Sequence, residues 1–241
     1  MNPPAPILLA SASPRRRRLV EWLGVDAEMH ATDIQEDLTL PLRPAALACA
    51  LAAEKATEAR VARADLLVLA FDTIVVLDGA VLGKPVDLAD ARRMLEALSG
   101  RTHEVITGVA LLEPGDASPR TFSVSTPVLM RALTEDAISA WAAAGELLGC
   151  AGAYNIEHHL AYVGDAECFQ NVAGLPLCHL YRELASGDVR DVPAGLRAPV
   201  AACDTALGRA CALGPALCAG RPKARSGGEQ PGLAAVRDDN Q

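Results

Sequence analysis

Aromatic side chains are nearly missing from this 241-residue chain, which has two Trp, three Tyr and three Phe. So few rings cannot build a stacking platform for a long single-stranded nucleic acid, and Leu, Val and Ala must fill the core. Lysine is scarcer: of 22 basic residues only Lys55, Lys84 and Lys223 are lysine. Arginine therefore serves at ordinary surface positions, and a remaining lysine marks a place where a compact charge on a flexible stem fits and a planar fork does not. The seven cysteines, at positions 49, 150, 168, 178, 203, 211 and 218, contain no CxxC pair and no zinc-ligand spacing. Reduced thiols are the expectation. No apolar run approaches membrane-spanning length, and Met1-Asn2-Pro3-Pro4 does not open a signal peptide. A cytoplasmic protein with no membrane partner is expected.

An excess of positive charge is also lacking. The net charge is -8; residues 188–241 hold 7 basic and 6 acidic residues, so residues 1–187 carry −9. Such a body does not gather a nucleic-acid polymer by its overall field. A phosphate site in it has to be local, built from a few converging cations.

What is present is a core-forming chain, 51% hydrophobic, in which strand and helix patterns alternate. Residues 6–10 read as a buried strand, and 14–23 as a helix with Ser13 as N-cap and Pro14 at its first position. A short strand at 25–31 leads to the acidic loop 33–37, and 44–64 has helical composition. Apolar β-branched runs at 66–70 and 73–77 flank Phe71-Asp72, and Asp78-Gly79 signals a two-residue hairpin into 80–82. Asp87 caps a helix to residue 98, which Gly100 ends. Strands at 104–112 and 122–133, a helix at 134–144, a glycine-rich turn at 149–152 and a helix at 175–184 complete the pattern. The expected fold is α/β: a mixed twisted sheet flanked by helices. After residue 187 periodicity fades, so 1–187 is expected to be the domain and the Ala/Gly/Pro-rich 188–241 a flexible tail. Cys203, Cys211 and Cys218 could form a metal or redox site there, but their spacing matches no ligand geometry.

Four segments carry chemistry-bearing residues. Ser11-Ala12-Ser13-Pro14-Arg15-Arg16 joins a strand to a helix start, where free N–H groups favour an anion; charge alone favours a solvated basic helix end, and the cost of arginines at the positive end of the helix dipole weighs the other way. Asp72-Thr73 is either a turn-former or a functional acid, with nothing local to separate the two. Gly83-Lys84-Pro85 by itself says little. The stretch 171–177 reads as a loop entering the last helix.

In this order and spacing the segments resemble the Maf family of nucleoside-triphosphate pyrophosphatases. The match runs through LLASASPRR at 8–16, Glu36, AAEKA at 52–56, FDTIVVLDGAVLGKP at 71–85, LSGRTHEVITGVAL at 98–111, GCAGAYNI at 149–156 and NVAGLPL at 171–177. The resemblance implies two lobes around a nucleotide cleft, as in ITPase-like folds, a homodimer, a nucleoside triphosphate substrate and a divalent cation, Mg²⁺ or Mn²⁺. By position Asp72 is the expected general base for water attack on the α-phosphate, and Glu36 and Asp72 hold the metal. Ser11, Arg15, Arg16, Lys55 and Lys84 bind phosphates, while Arg15, Thr73 and Glu157 select the base.

Arg15 and Thr73 resemble the branch acting on dTTP and UTP, where the third position is usually Gln. Glu157 departs from it. An ionised carboxylate only accepts, so a contact with the base would broaden the preference or shift it towards cytosine or modified guanine edges. The competing reading is a nucleotide-binding regulator of septum formation without turnover. A second alternative is a phosphatase or kinase acting on small phosphorylated substrates, but a Walker-type GxxxxGK[ST] run is absent.

Overall fold

The computed structural model describes residues 6–143 and 147–219. Residue 144 of the helix expected at 134–144, residues 220–241 of the expected tail and Lys223 lie outside them. The elements are β1 (Ile7–Ala10), α1 (Pro14–Glu21), β2 (Ala27–His30), α2 (Pro44–Arg60), β3 (Val68–Leu77), β4 (Ala80–Leu82), α3 (Leu88–Leu98), β5 (Thr102–Leu112), β6 (Arg120–Met130), α4 (Glu135–Ala143), β7 (Ala161–Val163), α5 (Phe169–Val172), α6 (Leu177–Leu184), α7 (Val200–Leu207) and α8 (Gly214–Cys218). Single 3-10 turns lie at Leu147–Gly149, Ala151–Ala153 and Ile156–His158. No helix among the described residues is long and apolar enough to cross a membrane.

The sheet has seven strands in the order β2-β1-β3-β5-β6-β7, with β4 pairing further along the edge of β3 that β1 also uses. β1 is parallel to β2 and β3 and every other pairing is antiparallel, so the sheet is mixed, as expected. Side chains alternate across it. Leu8, Val68, Ala70 and Ala110 pack against Ala52, Ala56 and Ala59 of α2; Ile7, Leu9, Leu69, Phe71 and Val109 face the larger core with Leu19, Leu95 and Leu180.

β3 is one unbroken strand through Asp72, where the sequence suggested a junction of two. The break lies in its neighbours. β1 pairs with β3 only as far as Ala70, and β4 takes up the same edge only at Val75. Between them the edge is open, and the chain leaving β1 turns back through α1 to β2 on the opposite side. That divergence is a topological switch point, where open α/β sheets form ligand crevices.

The other edge of β3 is closed by β5, with Gly108 opposite Asp72. A Cβ at Gly108 would lie 2.2 Å from backbone atoms of Ala48, so only glycine lets α2 settle this low on the sheet. Gly108→Ala is expected to destabilise by about 1–3 kcal/mol through overpacking and to move Lys55, two turns along α2. Equilibrium urea unfolding checks it; an unchanged midpoint would mean that α2 moves aside without cost. Asp78 and Gly79 both take positive φ, 51° and 82°, as the hairpin reading required. β7 and α5 were not legible, being three and four residues long.

For residues 188–219 the expected flexibility gives way to packing on the body. Arg197 donates its N–H to the carbonyl of Leu23 at 2.8 Å, the Arg190 N–H reaches Glu113 Oε2 at 2.6 Å, and Val189 and Cys203 are buried. Hydrophobic periodicity is weak here because the helices are short and cover the body with few side chains. Truncation after Gly187 is expected to lower Tm by several degrees, since each buried side chain of this size is worth about 1.5–3 kcal/mol. A thermal melt with an unchanged midpoint would show that the segment contributes nothing to the fold.

Candidate active site

The cleft at the open edge of β3 has a volume of about 750 Å³ and is lined by all nine residues singled out from the sequence: Ser11, Arg15, Arg16, Glu36, Lys55, Asp72, Thr73, Lys84 and Glu157. That volume suits a nucleotide-sized ligand. Strand alternation divides the site. Asp72 points to the α2 face and Thr73 to the α1 face, so the open edge of β3 presents a different group on each side.

On the α2 face Lys55 is buried and donates both to Asp72 and, at 2.7 Å, to Glu36 Oε1. Lys84, half exposed after the hairpin, donates to the same Glu36 oxygen at 2.9 Å. Burial pushes the Glu36 carboxyl up, but the charges and hydrogen bonds of Lys55 and Lys84 outweigh it and hold the group at about 2. Its folded value therefore lies below the ordinary 4.5. This contribution to stability is complete above pH 4.5 and is lost as pH falls towards 2. Glu36→Gln is expected to flatten the fall in stability between pH 5 and pH 3, as measured by urea unfolding at each pH. An identical acid slope in both proteins would show that Glu36 is not the titrating group.

On the α1 face Ser13 caps the helix by accepting from the Arg16 N–H at 3.4 Å. The Arg16 guanidinium donates to the Gly174 carbonyl at 2.8 Å, to Thr73 Oγ1 at 3.0 Å and to Ser11 Oγ at 3.4 Å. Burial draws it down to about 10, with Asp72 acting upward and Arg15 downward, so it stays protonated at neutral pH. Behind it lies a relay absent from the sequence reading. Thr73 Oγ1 meets Thr107 Oγ1 at 3.0 Å, and Thr107 donates to the Asn171 carbonyl at 3.1 Å. The Asn171 amide lies 3.1 Å from the Val105 and Val124 carbonyls, tying α5 to β5 and β6. Both residues stand in the matched stretches, yet nothing local distinguishes a buried Thr or Asn that braces an arginine from one that fills space.

Arg15 lines the cleft half-buried. Glu157, on the last 3-10 turn, is exposed, and its Oε1 accepts from Arg18 Nη2 at 2.7 Å. Nothing in the sequence marks Arg18, because four consecutive arginines give no local means of choosing among them. Among the described residues no group of three His, Cys, Asp or Glu side chains is placed to hold a metal ion. The carboxylates of Glu36 and Asp72, which converge on one ammonium, are the oxygen donors suited to a hard divalent cation that takes its other ligands from phosphate and water.

Comparison with known proteins bears on the same residues. The family model described as Maf-like protein matches residues 6–187. A dTTP/UTP pyrophosphatase of Moorella thermoacetica is 44% identical over 181 residues, covering 74% of this chain and 93% of that protein. Proteins of the same description from Geobacter sulfurreducens and Salinibacter ruber are 41% and 40% identical, covering 74% and 76% of this chain and 94% of each relative. Among solved structures the Staphylococcus aureus Ham1 protein overlaps 52% of this chain and 72% of its own at 15% identity, with a TM-score of 0.38.

Proposed function

The chain belongs to the Maf-like protein family, and on that premise we propose that it hydrolyses dTTP and UTP to the nucleoside monophosphate and pyrophosphate. The observation that carries the reading is the convergence of Asp72, Glu36, Lys55, Lys84 and Arg16 on one cleft at the helix end that follows β1. A buried carboxylate beside three cations is the equipment of a hydrolase acting on a phosphoanhydride. A regulator that only senses nucleotide has no need of the carboxylate.

In this reading Asp72 takes the proton from a water whose oxygen attacks the α-phosphorus, and the bond from that phosphorus to the bridging oxygen breaks. Lys84 and Arg16 neutralise the charge that grows on the departing pyrophosphate. In the first turn of α1 Pro14 has no N–H and those of Arg16 and Arg17 are bonded to Ser13, so the Arg15 N–H and guanidinium and the Ser11 hydroxyl cradle the phosphates at the positive end of the helix. Lys55 holds the Asp72 and Glu36 carboxylates in register. Glu36 and Asp72 would hold Mg²⁺ or Mn²⁺, which lowers the pKa of bound water and shields phosphate charge. The homodimer implied by the family and the cytoplasmic location expected from the sequence belong to the same reading.

A panel of the eight common nucleoside triphosphates with Mg²⁺, separating pyrophosphate from phosphate release, tests it. Pyrophosphate release fastest from dTTP and UTP is expected; release of phosphate alone would overturn it. Glu157 bears on the base. Its carboxylate accepts from Arg18 Nη2 at 2.7 Å, and an exposed pair of this kind is worth about 0–1 kcal/mol. Glu157→Gln is therefore expected to change the ratio of dTTP to CTP turnover by less than about fivefold. A larger rise in that ratio would place Glu157 against the base.

A further inference from the structure

The consecutive arginines 15–18 open one helix, yet the structure gives them different surroundings. Arg16 is committed to Gly174, Thr73 and Ser11. Arg17 does not line the cleft, whereas Arg15 and Arg18 both do. Three residues apart on α1, these two share one face of it, and Arg18 lies about 4.5 Å further along the axis from the helix start assigned above to the phosphates. There the cleft changes character. Its walls are the turn at 149–151, Tyr154, Val172 and Ala173, small or apolar groups that suit a flat ring better than a phosphate.

Arg18 is held at this end by Glu157. Its Nη2 donates to Glu157 Oε1 at 2.7 Å, which uses one of the five N–H groups of a guanidinium. Among the described residues it has no other hydrogen-bond partner. With 59% of the side chain exposed, the remaining donors are open to a ligand.

We propose that Arg18 reads the nucleobase: its guanidinium donates to the carbonyl oxygen at position 4 of a uracil or thymine ring, and Glu157 positions it. The inference rests on the dTTP and UTP reading of the same cleft and names the group that makes the choice. Uracil and thymine carry an acceptor, O4, where cytosine carries the N4 amino donor. A guanidinium has donors only, so it pairs with the first edge and sets donor against donor at the second. A carboxylate alone would do the reverse, accepting from N4 and repelling O4. In the pair, Glu157 gives an oxygen to Arg18 while Arg18 keeps donors to spare, so the arginine decides what the base meets. The small effect expected of Glu157→Gln agrees with this, since a Gln carbonyl still accepts from Arg18.

The test is the ratio of kcat/KM for UTP to that for CTP, two substrates that differ only along the N3–C4 edge of the ring, measured on the full chain. Arg18→Ala is expected to lower the ratio roughly 5–50-fold, the discrimination of a good arginine contact with a base edge. Arg18→Gln, which keeps donors without the charge, should retain more of the ratio. Glu157→Ala should lower it less than Arg18→Ala, and the two together no further than Arg18→Ala alone, because Glu157 acts through Arg18. An equal loss with both nucleotides would make Arg18 a phosphate cation, and an unchanged ratio would make it a surface group; either overturns the proposal, as does a wild type with no preference between the two. Equilibrium binding of UTP and CTP in chelator reads the same ratio without turnover and separates this inference from the hydrolytic reading. A wild type that prefers UTP in binding but releases no pyrophosphate sinks the reading and leaves Arg18 to be judged by binding. A wild type that hydrolyses UTP, with the ratio intact in Arg18→Ala, sinks the role of Arg18 alone.

Discussion

Asp72→Asn is expected to lower turnover by roughly 10²–10⁴, the usual worth of a general base, while nucleotide binding persists. The amide keeps the shape and hydrogen-bonding reach of the carboxylate but cannot take a proton from water. Asp72 is 3% exposed, in the middle of β3, with Gly108 opposite it, so the strand fixes its position and the substitution leaves the backbone pairing untouched. The cations it faces remain, and with one negative charge fewer among them the triphosphate should bind as tightly as before or more tightly. Single-turnover rates beside equilibrium titration of a non-hydrolysable analogue separate the two effects. Near-normal turnover would remove Asp72 from the chemistry, and lost binding would make it a structural group.

Lys55→Met is expected to affect both activity and stability. The ammonium is buried and donates to Glu36 and Asp72 together. Its removal leaves two adjacent carboxylates with only Lys84 and Arg16 nearby. Breaking a buried pair on one side costs about 3–5 kcal/mol, and loss of a preorganised charge at such a centre costs about 10²–10³ in turnover. Glu36 should rise well above its value of about 2, because burial already pushes it upward and Lys55 is the foremost opposing group. If Glu36 and Asp72 are the metal ligands, Mg²⁺ should restore part of the lost stability by supplying positive charge between them. Urea unfolding in chelator and in Mg²⁺, for the wild type and the variant, measures this. Equal losses in both solutions would count against a cation at this pair, and no loss at all would show that the contacts are incidental.

Much of the site could be read because it is local in the chain. Ser13-Pro14 announced the start of α1, Asp78-Gly79 the hairpin, and the alternation of apolar residues the strands. The scarcity of lysine marks Lys55 and Lys84 in the sequence alone. Cues of this kind reach only a few residues, since helix and turn signals act over three or four positions and strand signals over two. For that reason Thr107 and Asn171, which brace Arg16 from stretches 91 and 155 residues further on, carried no mark of their role.

The sequence by itself determined the α/β class, the order of the elements from β1 to α4, the family and the nine residues that line the cleft. Tertiary structure alone decided how they divide. Continuity of β3 through Asp72 puts Asp72 and Thr73 on opposite faces of the sheet, and the ending of β1 before β4 begins opens the edge between them. Gly108 lets α2 descend until Lys55 meets both carboxylates, and Arg18 rather than Arg15 takes Glu157. Residues 188–219 look featureless because their apolar side chains follow no period, yet Val189 and Cys203 are buried by surfaces from elsewhere in the chain. Burial and electrostatic contact depend on distance in space, and distance in space is set only when separate elements pack.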